Sequence, residues 1–201
     1  MPPADGTMED LTVVECTRCP ALVDSRSRIV NGVGPRDAEL VIVGEAPGEQ
    51  EDRTGEPFVG RSGSVLTDAL HAAGIDREDI RITNAVRCRP PDNRNPHSNE
   101  LARCRDWLEA ELSAIDPAVI LAVGKVPASH LLDRDVAVTA EAGSVERLTL
   151  GDRRYPVVIC VHPAAVLYDR SQEERLADAI ETAAHHLGVS PDDRQRSLGD
   201  F

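Results

Sequence analysis

A three-layer α/β/α domain built on a mostly parallel sheet is the fold class this sequence predicts. Two observations carry that expectation. Short apolar runs at 39–43, 80–86, 118–123 and 155–161 alternate with segments whose apolar residues recur at helical spacing. The chain of 201 residues is long enough for one such domain with a real core and too short for two.

From the N-terminus, 1–10 reads as a flexible acidic leader, and 11–27 carries a cysteine pair and a short helix. The run 39–43 is a buried strand opening onto a Gly/Pro-rich loop. Val65, Leu66, Ala69, Leu70 and Ala73 form a helical stripe over 61–73, ended by Gly74. A strand at 80–86 precedes a helix at 99–114, with Leu101, Leu108 and Leu112 on one side. The strand 118–123 leads through Gly124 into a short helix ending at Leu132. Residues 134–146 have no strong period and read as a loop with some extended structure. Strands at 147–150 and 155–161 flank a Gly151-Asp152 turn, and a last helix runs over 171–187. The domain is thus 11–187, followed by a polar, disordered tail at 188–201. In parallel sheets ligands bind beyond the carboxyl ends of the strands, which singles out the loops after Val43, Val86 and Val161.

Acidic residues outnumber basic ones by 35 to 22, a formal net charge of −13, and Lys125 is the only lysine. A carboxylate-rich, lysine-poor, aromatic-poor composition resembles that of proteins adapted to high salt. At molar salt phosphate contacts bind weakly, so a nucleic-acid partner would have to be held more by stacking and base-edge hydrogen bonds. No run approaches the roughly 20 apolar residues of a membrane span, and 1–10 lacks the features of a secretory signal. The chain therefore reads as cytoplasmic and monomeric, and its cysteines as ligands or core residues rather than disulfides.

Cys16-Thr-Arg-Cys19, Cys88 and Cys104 make a four-thiolate set that suits either a tetrahedral zinc or an iron–sulfur cubane, with a redox pair plus spare thiols as the plainer reading. Cys160, within an apolar run, reads as a core thiol. The loop Gly44-Glu-Ala-Pro-Gly-Glu-Gln-Glu-Asp52 carries too many carboxylates to cradle a phosphate, but Glu45 stands immediately after the strand. Phe58 sits among glycines, as a core aromatic or as a platform for a planar ligand. Asn84 offers a donor and an acceptor to a base edge, or else holds a neighbouring loop. His162, at a strand end before a proline, is placed for a site or is a structural histidine.

Taken as an ordered set, these residues resemble the iron–sulfur uracil-DNA glycosylases called family 4. The resemblance rests on Gly44-Glu-Ala-Pro-Gly48, Glu51-Asp52, Thr54-Gly-Glu-Pro-Phe-Val-Gly60 and Thr83-Asn-Ala-Val-Arg-Cys-Arg-Pro-Pro91. Asn93-Arg-Asn-Pro96, Cys104, Ala122-Val-Gly124 and His162-Pro163 complete it. It implies a central four-stranded sheet and a [4Fe–4S] cluster on Cys16, Cys19, Cys88 and Cys104. It also implies hydrolytic removal of uracil from DNA, initiating base excision repair. In that scheme the base lies by Ala46, Phe58 stacks on it, Asn84 bonds its O4/N3 edge, and Glu51 crowds C5 against a thymine methyl. His162 donates to O2 as charge develops, Glu45 or Asn84 orients the water, and Val166 or Leu167 wedges into the vacated stack. Ala46 stands where a neighbouring family has an aspartate, so no carboxylate fills that slot, and of the two Glu45 is taken for the water. The alternative is a non-catalytic or covalent uracil-DNA binder, acting through His97 in a loop that lacks the basic run expected there. A sliding clamp is a further partner that no residue in the sequence specifies.

Overall fold

In the computed structural model, which describes residues 6–189, the chain opens with an antiparallel hairpin. Strand β1 (Gly6–Glu9) pairs with β2 (Thr12–Cys16). This corrects the expected leader over its second half: Leu11 and Val13 are buried, and the Asn31 side chain clasps the hairpin by accepting from Val13 N–H at 2.8 Å and donating to Val13 O at 3.2 Å. The first half of that leader and the tail beyond residue 189 lie outside the described residues. Helix α1 (Pro20–Ser25) follows, with proline at its first turn.

The main sheet begins with β3 (Leu40–Gly44), whose loop turns into α2 (Glu49–Thr54) and α3 (Arg61–Ala72). Strand β4 (Arg81–Asn84) leads through an irregular loop into α4 (Ser98–Ile115). Then come β5 (Val119–Val123), α5 (Lys125–Leu132), α6 (Val138–Glu141), β6 (Val145–Leu150) and β7 (Arg153–Cys160). Helices α7 (Ala164–Tyr168) and α8 (Gln172–His186) close the domain.

The sheet has five strands in the order β4-β3-β5-β7-β6, one more than the family resemblance implied. Four are parallel; the extra strand, β6, is joined to β7 by a tight turn with Gly151 at φ 56°, and hydrogen-bonds antiparallel along its edge. Leu148 alone is buried on β6, so its sequence carries little of the alternation that marks a strand. The stretch expected to be a loop at 134–146 contains α6 and the start of β6.

The central strands are apolar throughout because helices cover both faces. Leu40, Ile42, Leu121 and Val158 pack with Leu66, Leu70, Leu176 and Ile180 of α3 and α8. Val41, Val43, Ile120 and Val157 pack on the other side with Leu108 and Leu112 of α4 and Leu131 of α5. This is the predicted three-layer architecture. Among the described residues no helix is long and apolar enough to cross a membrane. The strand order reverses at β3, since β4 lies on one side of it and β5 on the other. A ligand crevice is expected beyond the carboxyl ends there.

Candidate active site and cysteine cluster

Gly44 ends β3 in parallel register with Asn84, which ends β4. A Cβ at Gly44 would lie 2.4 Å from Asn84 Oδ1 and 2.6 Å from Phe58 Cε2, so only glycine lets both side chains close over the strand end. Beyond them is a cavity of about 170 Å³, lined by Glu45, Ala46, Glu51, Phe58, Asn84 and His162, with Gly48 and Ser62. Six of the non-cysteine residues singled out in the sequence meet there, brought from the segment after β3, the end of β4 and the loop after β7, while His97, Val166 and Leu167 are not in its lining. Ser62 was missed: a small hydroxyl at the start of α3 carries no signal of its own. A wider hollow of about 330 Å³ lies at the other end of the sheet, by Leu40 and Ile80, away from these residues.

Phe58 is a core aromatic that also reaches the cavity; it is 7% exposed. Its φ of 53° places it in the left-handed region, which a bulky residue seldom occupies. Its neighbours hold it there: a Cβ at Gly63 would lie 1.9 Å from Phe58 O, so α3 presses on that turn, and Arg77 donates to Pro57 O at 2.7 Å. The ring stacks on His162 with centroids 5.9 Å apart and planes 29° apart.

Glu51 is tied down through both oxygens, accepting from Gly48 N–H at 3.1 Å and Gly60 N–H at 3.2 Å. One carboxylate thus joins the loop after β3 to the loop carrying Phe58. The neighbouring Asp52 is buried and receives the Ser27 N–H, fixing the segment after α1. Asn84 is 3% exposed, and among the described residues its carboxamide has no hydrogen-bond partner. Facing the cavity, that carboxamide is open to water or to a ligand that offers it a matching donor and acceptor.

His162 Nδ1 accepts the Ala164 N–H at 3.1 Å, which leaves the proton of a neutral ring on Nε2. Burial lowers the His162 pKa, only partly opposed by Glu51, so the ring is neutral at pH 7. Burial also raises the Glu45 carboxyl pKa above its usual value. The site thus offers a neutral N–H donor, an unpaired amide, an aromatic face and a poorly solvated carboxylate.

The cysteines gather next to this cavity. Cys16 ends β2, Cys19 caps α1, Cys88 follows β4 and Cys104 lies in α4. Cys19, Cys88 and Cys104 share a cluster with Leu22 and Val86, and Ala46 of the cavity wall packs against it. Cys16 is close enough for its charge to act on the other three. Burial pushes the Cys19, Cys88 and Cys104 thiols up, Cys104 to about 12, so thiolates there require compensating positive charge. Arg26 donates to Cys88 Sγ at 2.9 Å and to Cys16 O at 2.7 Å, and Arg103 hydrogen-bonds Cys19. Among the described residues no group of three or more His, Cys, Asp or Glu has the arrangement of a single-ion site. The four thiols lie in one neighbourhood of the fold, a donor set that suits a thiolate-ligated metal centre. Cys160 is fully buried, a core thiol as expected. His97 is an exposed N-cap of α4 outside the cavity lining; its backbone N–H donates to Glu100 at 2.7 Å.

A family model described as the uracil DNA glycosylase superfamily matches residues 31–184. A type-4 uracil-DNA glycosylase of Archaeoglobus fulgidus is 37% identical over 94% of this chain and 94% of its own. Another from Thermotoga maritima is 43% identical over 81% of this chain and 83% of its own, and one from Saccharolobus solfataricus is 38% identical over 89% and 85%. The cavity residues, Cys88 and Cys104 lie within the matched span, the cysteine pair at 16 and 19 before it, and the chain belongs to the type-4 family of the uracil-DNA glycosylase superfamily.

Proposed function

We propose that this chain removes uracil from DNA by hydrolysing the N-glycosidic bond, leaving an abasic site that opens base excision repair. The observation that carries this reading is the unpartnered Asn84 amide, buried in a cavity between an aromatic ring and a neutral histidine. A carboxamide is both donor and acceptor, so it can pair with the O4 and N3–H of uracil; the amine of cytosine inverts that pattern. The C1′ of a stacked nucleotide is out of reach, so the uridine must flip, at about a few kcal/mol. Stacking on Phe58 returns part of that cost. Glu51, fixed through both oxygens, is a rigid wall that excludes a thymine methyl.

As the bond lengthens, the sugar gains positive and the uracil negative charge. The Nε2–H of His162 stabilises the developing charge on O2, and a neutral donor does so without drawing a proton-rich ring into the site. Glu45, poorly solvated and directly after β3, orients the attacking water and faces the sugar cation. Ala46 carries no carboxylate and serves as wall between this chemistry and the cysteines. Cys16, Cys19, Cys88 and Cys104 would hold a [4Fe–4S] cluster that pins the N-terminal hairpin, the loop after β4 and α4 together, a structural rather than a redox contribution. Uracil-containing DNA is the partner this reading requires.

The test is excision from a labelled oligonucleotide bearing one uracil, at low and at molar potassium chloride, with abasic sites cleaved by alkali. His162→Ala is expected to lower kcat by about 10²–10³-fold. Absence of product from the parent protein at both salts, with the fold intact, would remove the enzyme reading; a denaturation-resistant adduct in that case would point to covalent capture.

A further inference from the structure

Tyr168, at the end of α7, is 90% exposed. The chain has five aromatic residues; Phe58, Trp107 and Tyr155 are buried, and Phe201 lies outside the described residues. Tyr168 is therefore the exposed aromatic among the described residues, whose other aromatics are buried.

Its position follows from α8. Leu187 and Val189, just past that helix, line a hollow with Leu40 and Ile80 at the amino edge of the sheet. Fifteen helical residues rise about 22 Å, enough to cross the sheet, so α8 starts at the carboxyl edge, where the cavity opens. Helix α7 lies between His162 and that start. It is held at both ends, by the Ala164 N–H on His162 Nδ1 at 3.1 Å and the Asp169 N–H on Ala165 O at 2.8 Å. Val166, one of the residues expected to enter DNA, packs against the core instead, and Leu167 is 37% exposed. Tyr168 points outward from a fixed platform beside the catalytic histidine.

Charge supplies the second observation. Several arginines are matched by carboxylates: Arg81 and Arg87 by Glu111, Arg94 by Glu100, Arg105 by Asp133, Arg134 by Glu141. Among the described residues Arg61, at the start of α3 beside the cavity residue Ser62, and Arg170, two positions beyond Tyr168, have no such partner. Cations without a carboxylate partner, one at the helix start beside the cavity and one two positions from the exposed aromatic, suit a nucleic-acid strand.

On the glycosylase reading above, we infer that Tyr168 stacks on a DNA base next to the flipped nucleotide and supplies a grip that survives high salt. Phosphate contacts weaken steeply with salt through counterion release. Stacking of a base on an aromatic does not involve counterions and is worth about 5- to 150-fold in affinity per base. For an acidic chain of net charge −13, stacking is the binding term that stays available at molar salt.

The experiment compares the parent with Tyr168→Ala, Tyr168→Trp and Leu167→Ala, on a duplex carrying one uracil next to 2-aminopurine, at low and molar potassium chloride. Fluorescence titration reads binding and stacking directly, and excision reads KM and kcat. Tyr168→Ala is expected to weaken binding and raise KM about tenfold or more, by a similar factor at low and at molar salt, and to abolish quenching of 2-aminopurine. Tyr168→Trp is expected to restore both. Parental binding and quenching in Tyr168→Ala, or a loss seen only in Leu167→Ala, would overturn the inference. Because the titration needs no turnover, a parent that binds and quenches without making product refutes the enzyme reading and leaves Tyr168 supported.

Discussion

Adding one methyl group at Gly44 is expected to damage the site far more than the fold. Gly44 does not sit in the left-handed region, so alanine costs nothing in backbone conformation. What the Cβ meets is the site itself: Asn84 Oδ1 at 2.4 Å, and Phe58 Cε2 and Cζ at 2.6 and 2.7 Å. Ordinary van der Waals contact begins near 3.4 Å, so both side chains must retreat by most of an ångström. Phe58 cannot easily yield, because Gly63 presses on its carbonyl, and Asn84 is held at a strand end between β3 and the cavity. Overpacking of this kind costs about 1–3 kcal/mol, which for a chain of this size lowers Tm by about 2–12 °C. Misplacing a positioning group by about 1 Å costs on the order of 10²-fold in rate. Gly44→Ala is therefore expected to lose about 10²-fold in kcat/KM for uracil-containing DNA while still melting cooperatively. The assay is steady-state excision well below the Tm, with thermal melts alongside. A kcat/KM within twofold of the parent would refute the claim that the closeness of Asn84 and Phe58 to β3 sets the base pocket.

Burial raises the Glu45 pKa, so protonation as pH falls should remove the water-orienting carboxylate at a pH above the ordinary carboxylate range. The acid limb of kcat is expected there, and Glu45→Gln should lose about 10²–10⁴-fold and show no such limb; a limb kept in the variant assigns it elsewhere. Glu111 is fully buried and holds Arg81 and Arg87 at 2.7 Å each, joining α4 to both ends of β4. Glu111→Gln leaves excess buried positive charge at a cost of about 3–5 kcal/mol, so Tm should fall by about 6–20 °C; a change under about 2 °C would show the triad to be dispensable. Cys104→Ala should reduce bound iron and visible absorption as well as Tm, and elemental analysis of the parent that finds zinc without iron would overturn the cluster assignment.

The parallel sheet and its helical layers were legible because burial on both faces demands unbroken apolar runs, as in Leu40 to Val43, and helical stripes such as Val65 to Ala73. The site was legible for a different reason: loops at the carboxyl ends of the strands carry residues, Glu45, Asn84 and His162, that the fold does not need. The edges were not legible. Strand β6 buries only Leu148, and β1 is a four-residue strand paired with β2, which Asn31 holds through Val13. Pairwise chemistry was hidden too, since no spacing announces that Glu51 bridges two loops or that Arg26 reaches Cys88. The outward turn of Tyr168 and the inward turn of Val166 are likewise set by how α7 packs. The sequence by itself determined the layers, the chemistry available and the family, because periodicity and ordered motifs are local or linear properties. Only the tertiary structure decided which atoms of that chemistry are left unpaired and where they point, because contact distance and solvent access arise when segments far apart in the chain pack together.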